Sequence, residues 1–222
     1  MKAVLCRPRF DDPTQNTFAF AEEILLWCQQ AGIDIVELAE GEAIRTNVVR
    51  ELSKGADLFI HYDHGDENAL IGQDEKAVID LNNCALLAEK EVYTLACLSA
   101  KKLGPEVWRK GGTYWGYVEV VSFTTDALAE FQEAFNCGFR YRFIEGDTRQ
   151  SALTRAKETF TRLAYELVFA GKTFAAIFMR ENGDNLVYLN AHEPEEEKEG
   201  CLLGLLKLPL QKLLLGRWTT LN

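Results

Sequence analysis

Two short apolar runs constrain this chain more than anything else in it. Asp57–Tyr62 leads into His64-Gly65, and Val92–Ala96 leads into Cys97. Both have the length and composition of β-strands. Strands that are apolar throughout belong to parallel sheets covered on both faces. In such sheets ligands bind just beyond the carboxyl ends of the strands. If the two strands are neighbours, His64 and Cys97 leave the sheet side by side at that edge. A thiol beside an imidazole is a nucleophile with its base.

The flanking sequence supplies the rest of an α/β pattern. Ala3–Cys6 reads as a first strand, and RPRFDDPTQN after it as a loop rich in turn residues. Phe18 to Ala31 has an amphipathic helical pattern with Gly32 as its stop. Ile33–Leu38 reads as a second strand, and Glu42 to Lys54 as a helix closed by Gly55. This β-α-β-α-β run implies right-handed crossovers. Asn68–Gly72 turns the chain back, and Ala77–Lys90 reads as irregular or helical. Lys101-Lys102 opens a helix, and Gly111-Gly112 leads into TYWGYVEVV, which is strand-like. Asp147 or Thr148 caps a late helix. Phe174–Met179 and Leu186–Leu189 read as two strands around a sharp turn at ENGDN.

Composition narrows the class. The chain has 222 residues, 47% of them hydrophobic, which predicts one α/β domain with a substantial core. Its net charge of −10 argues against a nucleic-acid surface and suits a basic substrate or partner. Acidity also favours solubility in general. No leader peptide or membrane span is recognisable. The six cysteines (6, 28, 84, 97, 137, 201) are scattered, without CxxC pairs or histidines at zinc spacing. This predicts free thiols in a reducing cytoplasm, with no metal and no cofactor. The domain is expected over 1–192. An acidic run and a leucine-rich tail, 193–222, are expected to pack on it, or on a partner or second copy.

An apolar strand ending in His64-Gly65, followed by one ending in Ala96-Cys97 with small residues after it, resembles the caspase-like cysteine peptidases. GGTYWGYVEVV and GDTRQSALTRAKETF are similar to later segments of the gingipain and CHAT branches. Leu95 stands where caspases proper carry Gln. The resemblance implies an α-β-α sandwich in three layers with a mainly parallel sheet. It implies His64 and Cys97 as the catalytic dyad, and the backbone N–H groups of Gly65 and Cys97 as the oxyanion hole. In relatives that cleave after Arg or Lys, a carboxylate in the loop after the first strand reaches the pocket floor. Asp11 and Asp12 occupy that loop here. Arg7 and Arg9, in the same loop, would suit the opposite, Asp-selecting pocket. Trp115, Tyr117 and Glu119 are candidate pocket walls, with core packing as their alternative role. His61 is expected to be structural. Asp63 and Asp66 flank His64, and either could orient the imidazole.

The implied activity is cleavage of a specific protein or peptide partner, with activation by another protein conceivable by analogy. Two other readings stay open. One is a catalytically silent scaffold with the same fold. The other is an unrelated doubly wound domain binding a nucleotide or phosphopeptide, though RPRFDDP lacks the glycine-rich phosphate loop such a domain would need.

Overall fold

The structure, a computed structural model, describes residues 1–190. The expectations placed on the acidic run and leucine-rich tail lie outside the described residues. A six-stranded sheet forms the centre, in the order β2-β1-β3-β6-β7-β8. Its strands are β1 (Lys2–Arg7), β2 (Asp34–Ala39), β3 (Leu58–Tyr62), β6 (Glu91–Leu95), β7 (Thr113–Tyr117) and β8 (Leu186–Asn190). The first five run parallel, and β8 is antiparallel to β7. A separate hairpin, β4 (Ala69–Ile71) and β5 (Ala77–Asp80), follows β3.

Alternation along the strands explains the layers. Ala3, Leu5, Leu58, Ile60, Tyr62, Tyr93 and Leu95 face one core. That core is shared with helices α1 (Asp12–Gln30), α4 (Leu128–Phe139), α5 (Arg149–Phe169) and α6 (Thr173–Asn185). Val4, Cys6, Phe59, Val92 and Tyr114 face the other. There α2 (Arg45–Leu52), α3 (Leu103–Arg109) and the hairpin cover the sheet. Both faces of the strands are therefore buried, which is why they read as continuous apolar runs.

Strand order places a topological switch point. From β1 the chain moves outward to β2, then crosses back to β3 on the other side of β1. The loop after β1 and the end of β3 thus straddle a topological switch point, where open α/β sheets bind ligands. The β3–β6 ladder pairs Tyr62 with Leu95. His64 and Cys97 each lie two residues beyond that last pair, at the same edge of the sheet.

Several expected boundaries move. Helix α1 begins at Asp12, well before Phe18, because Asp11 and Thr14 form a capping box. Glu42 to Lys54 resolves into a short 3-10 turn at Glu40–Glu42 and then α2. Ala77–Lys90 contains β5 and a 3-10 turn at Cys84–Leu87. The strand in TYWGYVEVV ends at Tyr117.

The expected strand at Phe174–Met179 and the turn at ENGDN are both incorrect, since α6 runs through them to Asn185. The buried residues of α6 are Ala175, Ala176, Met179, Asn182 and Gly183, a helical spacing. Gly183 is there for close packing. A Cβ at that position would lie 2.5 Å from the Cβ of Phe160 on α5. Gly183→Ala should therefore destabilise the fold by about 1–3 kcal/mol, even though alanine is the better helix former by about 1 kcal/mol. Chemical denaturation of the variant checks this. Unchanged or raised stability would contradict the packing argument.

Candidate active site

A cavity of about 440 Å³ opens at the carboxyl end of β3 and β6. Asp63 and His64 enter it from the end of β3, and Leu95, Ala96 and Cys97 from the end of β6. Pro13, Thr14 and Thr17 of α1 form one wall. The loop after β7, from Val120 to Phe123, and Phe178 of α6 form another.

His64 is held by the loop after β1. Its Nε2 lies 2.8 Å from Oδ2 of Asp11. The other oxygen of that carboxylate accepts the Thr14 N–H at 2.9 Å and caps α1. A carboxylate only accepts, so Nε2 carries the hydrogen and Nδ1 is the basic nitrogen of the neutral ring. Partial burial opposes ionisation of Asp11, but the Thr14 N–H, His64 and the Thr14 hydroxyl outweigh it and hold the carboxyl below its usual range. The ring of Phe10, with its centroid 5.7 Å away, packs against the imidazole.

Cys97 sits on a tight turn. Leu98, the next residue, has φ of +59°, an αL conformation costly for a leucine. The loop after β7 braces this turn. Leu98 donates its N–H to Glu119 O at 3.0 Å, and Ala100 donates to Tyr117 O at 3.0 Å. Cys97 Sγ accepts the Val121 N–H at 3.3 Å. Burial pushes the Cys97 thiol above its ordinary value, and the Val121 N–H offsets this only in part. No hydrogen bond joins His64 to Cys97, and burial favours the thiol form of Cys97.

Gly65 is dictated by close approach. A Cβ there would meet the Ala96 Cβ at 2.9 Å and the Cys97 carbonyl oxygen at 3.2 Å. The bridge between Gly65 and Leu70 is closed by Asp66 N–H to Ala69 O and Ile71 N–H to His64 O. It uses neither the N–H nor the C=O of Gly65.

The remaining expected residues fall elsewhere. Asp11 binds His64 and caps α1 and does not line the cavity, and Asp12 is an exposed first residue of α1. Trp115 is fully buried. It stacks on Tyr188 with centroids 5.1 Å apart and donates its Nε1–H to Glu91 at the opposite end of the sheet. Tyr117 is also core. Glu119 is exposed and serves the site through its backbone carbonyl. Arg7 is buried between Glu22 and Glu37, and Arg9 pairs with Glu40, so neither arginine reaches the cavity. Asp66 turns its carboxylate onto the N–H groups of Asn68 and Ala69. His61 is fully buried, with Nε2–H donated to Ile71 O at 2.8 Å. Burial pushes it down to about 4, which keeps it neutral. No group of three or more His, Cys, Asp or Glu side chains among the described residues is arranged to hold a metal ion. None of their helices is long and apolar enough to cross a membrane.

Two contributors were not legible beforehand. Asn182 of α6 pins the cavity wall: its Nδ2–H donates to Ser122 O at 2.6 Å, and Ser122 N–H returns to its Oδ1 at 3.2 Å. Phe178 comes from the same helix. Only the helical spacing of 175, 179 and 182 could have signalled them. A scan against protein-family models returns no match, and neither does a search of curated proteins.

Asp63 is the most unusual side chain at the site. It is 4% exposed, both carboxylate oxygens are sealed from solvent, and the neighbouring His64 N–H gives them only partial support. Burial pushes its carboxyl up to about 8, with the Asp11 charge adding to the effect. An acid with a raised pKa takes up a proton on folding. Its contribution therefore favours the fold at low pH and is lost as pH climbs from about 4 to about 8. Asp63→Asn should gain stability relative to the parent across that window, by on the order of 3 kcal/mol. Thermal unfolding at pH 4.5 and pH 8.5 reads this. A difference that does not change with pH would contradict it.

Proposed function

We propose that this protein is a cysteine endopeptidase of the caspase-like type, similar to the gingipain and CHAT branch, acting on a protein partner. One observation carries the reading: His64 and Cys97 follow the carboxyl ends of adjacent parallel strands and line one cavity. The α/β sheet flanked by helices on both faces agrees with it, while the finer caspase-like assignment rests on the resemblance.

In this reading the Cys97 sulfur attacks the scissile carbonyl carbon, and the thiol proton passes to His64 Nδ1. The oxyanion is received by the backbone N–H groups of Gly65 and Cys97. His64 then returns the proton to the leaving amine, giving a thioester on Cys97. Water attacks the thioester with His64 as base, which releases the acid and restores the thiol. The raised Cys97 pKa favours proton transfer during attack over a preformed ion pair. Asp11 acts as a positioning residue, fixing the imidazole tautomer and steadying its positive charge.

The net charge of −10 agrees with a cationic substrate, and cleavage after Arg or Lys is the preference we assign. No cofactor takes part. Free thiols at Cys6, Cys28, Cys84, Cys97 and Cys137 suit a reducing cytoplasm. Activation by a partner or by self-association would fit the resting thiol. That same protonated thiol, unbonded to His64, favours a second reading as a silent scaffold or regulatory binding module.

Fluorogenic peptides ending in Arg, Lys or Asp separate these. We expect turnover after Arg or Lys by wild type and a loss of at least about 10³-fold in Cys97→Ala. Turnover after Asp would keep the enzyme and overturn the preference. Equal turnover by Cys97→Ala would overturn the nucleophile, and silence toward every peptide would favour the scaffold.

A further inference from the structure

One side chain ties the cavity wall beside Cys97 to the helical layer. Asn182 of α6 is 1% exposed and lies one turn beyond Phe178, which lines the cavity. Its amide engages both main-chain groups of a single residue. Nδ2–H donates to Ser122 O at 2.6 Å, and Oδ1 accepts the Ser122 N–H at 3.2 Å. Asparagine is a weak helix former, so this pairing and not propensity accounts for its place in α6.

The loop after β7 has little else to hold it. Among the described residues, the main-chain groups from Val120 to Phe123 find partners in the protein at two places only. Val121 meets the Cys97 sulfur, and Ser122 meets Asn182. Phe123 fixes the far end by packing its ring against Phe20 and Phe131, and Val120 is exposed. Without the amide, the backbone of Val120 to Ser122 would be tied to the fold through Cys97 alone. The Ser122 groups would then take water as their partner, which draws this stretch away from the sulfur.

We infer that Asn182 is a positioning residue for Cys97: it holds the loop after β7 closed against the sulfur, and opening this clamp exposes a more reactive thiol. This rests on the peptidase reading for the use made of the thiol, while the test below reads the thiol itself. The direction follows from which effect on the sulfur is larger. Burial pushes the Cys97 thiol up by more than the Val121 N–H brings it down. Opening the loop removes both, and relief of the larger one wins, so the thiolate forms more easily. The other ionisable side chains lining the cavity are Asp63 and His64, and neither bonds to this loop. Glu119 on the loop and Arg180 and Glu181 on α6 are exposed.

The test is alkylation of the full chain by iodoacetamide across a pH series, with the Cys97 adduct quantified by peptide mass mapping. Asn182→Leu keeps the bulk of the side chain and removes the amide, and Asn182→Ala removes both. Each should alkylate at Cys97 about fivefold faster or more than the parent at neutral pH, with the midpoint of the pH profile lowered. Leu52→Ala weakens the core on the opposite face of the sheet and should leave rate and midpoint unchanged. Cys28 and Cys137, buried in the core that α6 shares, should stay unlabelled in every variant. Equal or slower alkylation of Cys97 in the Asn182 variants, or a midpoint that does not fall, overturns the inference. Faster alkylation that extends to Cys28 and Cys137, or that Leu52→Ala reproduces, also overturns it, since either is general loosening of the fold.

Peptide turnover keeps the two claims apart. If the parent cleaves peptides and the Asn182 variants leave Cys97 unchanged, the clamp fails and the peptidase stands. If the Asn182 variants free Cys97 as expected and none of the proteins cleaves a peptide, the clamp stands and the peptidase reading fails.

Discussion

The parallel pairing of β3 with β6 is the constraint from which the site follows. Tyr62 opposite Leu95 is the last pair of that ladder, and both chains leave the sheet from it. A slip of one residue would exchange the core-facing and opposite sets on each strand. Phe59 and Val92 pack into one core while Ile60, Tyr62, Tyr93 and Leu95 pack into the other, so that slip would bury the wrong face of both. The hydrophobic pattern thus specifies the register, and the register brings His64 to Cys97. The absence of a side chain at Gly65 completes the approach, because the two strand ends come closer than a Cβ would allow.

Asp11 couples that edge to the helical layer. One oxygen completes the capping box of α1 and the other holds His64, so the start of the helix and the orientation of the imidazole share a single carboxylate. On the other side of the cavity, α6 reaches across through Asn182 and Phe178 to support the loop after β7. That loop in turn braces the turn at Cys97 through Glu119, Tyr117 and Val121. The candidate site is therefore assembled from both ends of the described chain, although His64 and Cys97 come from the middle.

Legibility in the sequence follows from how local each signal is. The first three strands and their helices could be read because each buries its own periodic pattern. The His64–Cys97 pair could be read because both residues end apolar runs that the fold makes neighbours. The role of Asp11 could not, since its sequence neighbours say only that it begins a turn or a helix, and its partner lies far along the chain. Trp115 misled in the opposite sense. An aromatic on the next strand looks like a pocket wall, but Trp115 lies midway along β7, held in the core by Tyr188 and Glu91. The α6 segment was misread because ENGDN has turn composition, whereas Gly183 and Asn182 serve tight packing and a buried hydrogen bond. Asp63 gave no signal beyond lying next to His64. Its burial at the end of β3 is a three-dimensional fact.

The central claim is that Cys97 is a nucleophile activated by His64. Labelling with a peptidyl acyloxymethyl ketone, located by peptide mass mapping, tests it most directly. Cys6, Cys28, Cys84 and Cys137 are buried, so selective reaction at Cys97 among these five would reflect both exposure and chemistry. The account predicts one adduct, on Cys97, formed much more slowly in His64→Ala than in wild type. No adduct on Cys97, or equal rates in the two proteins, would contradict it.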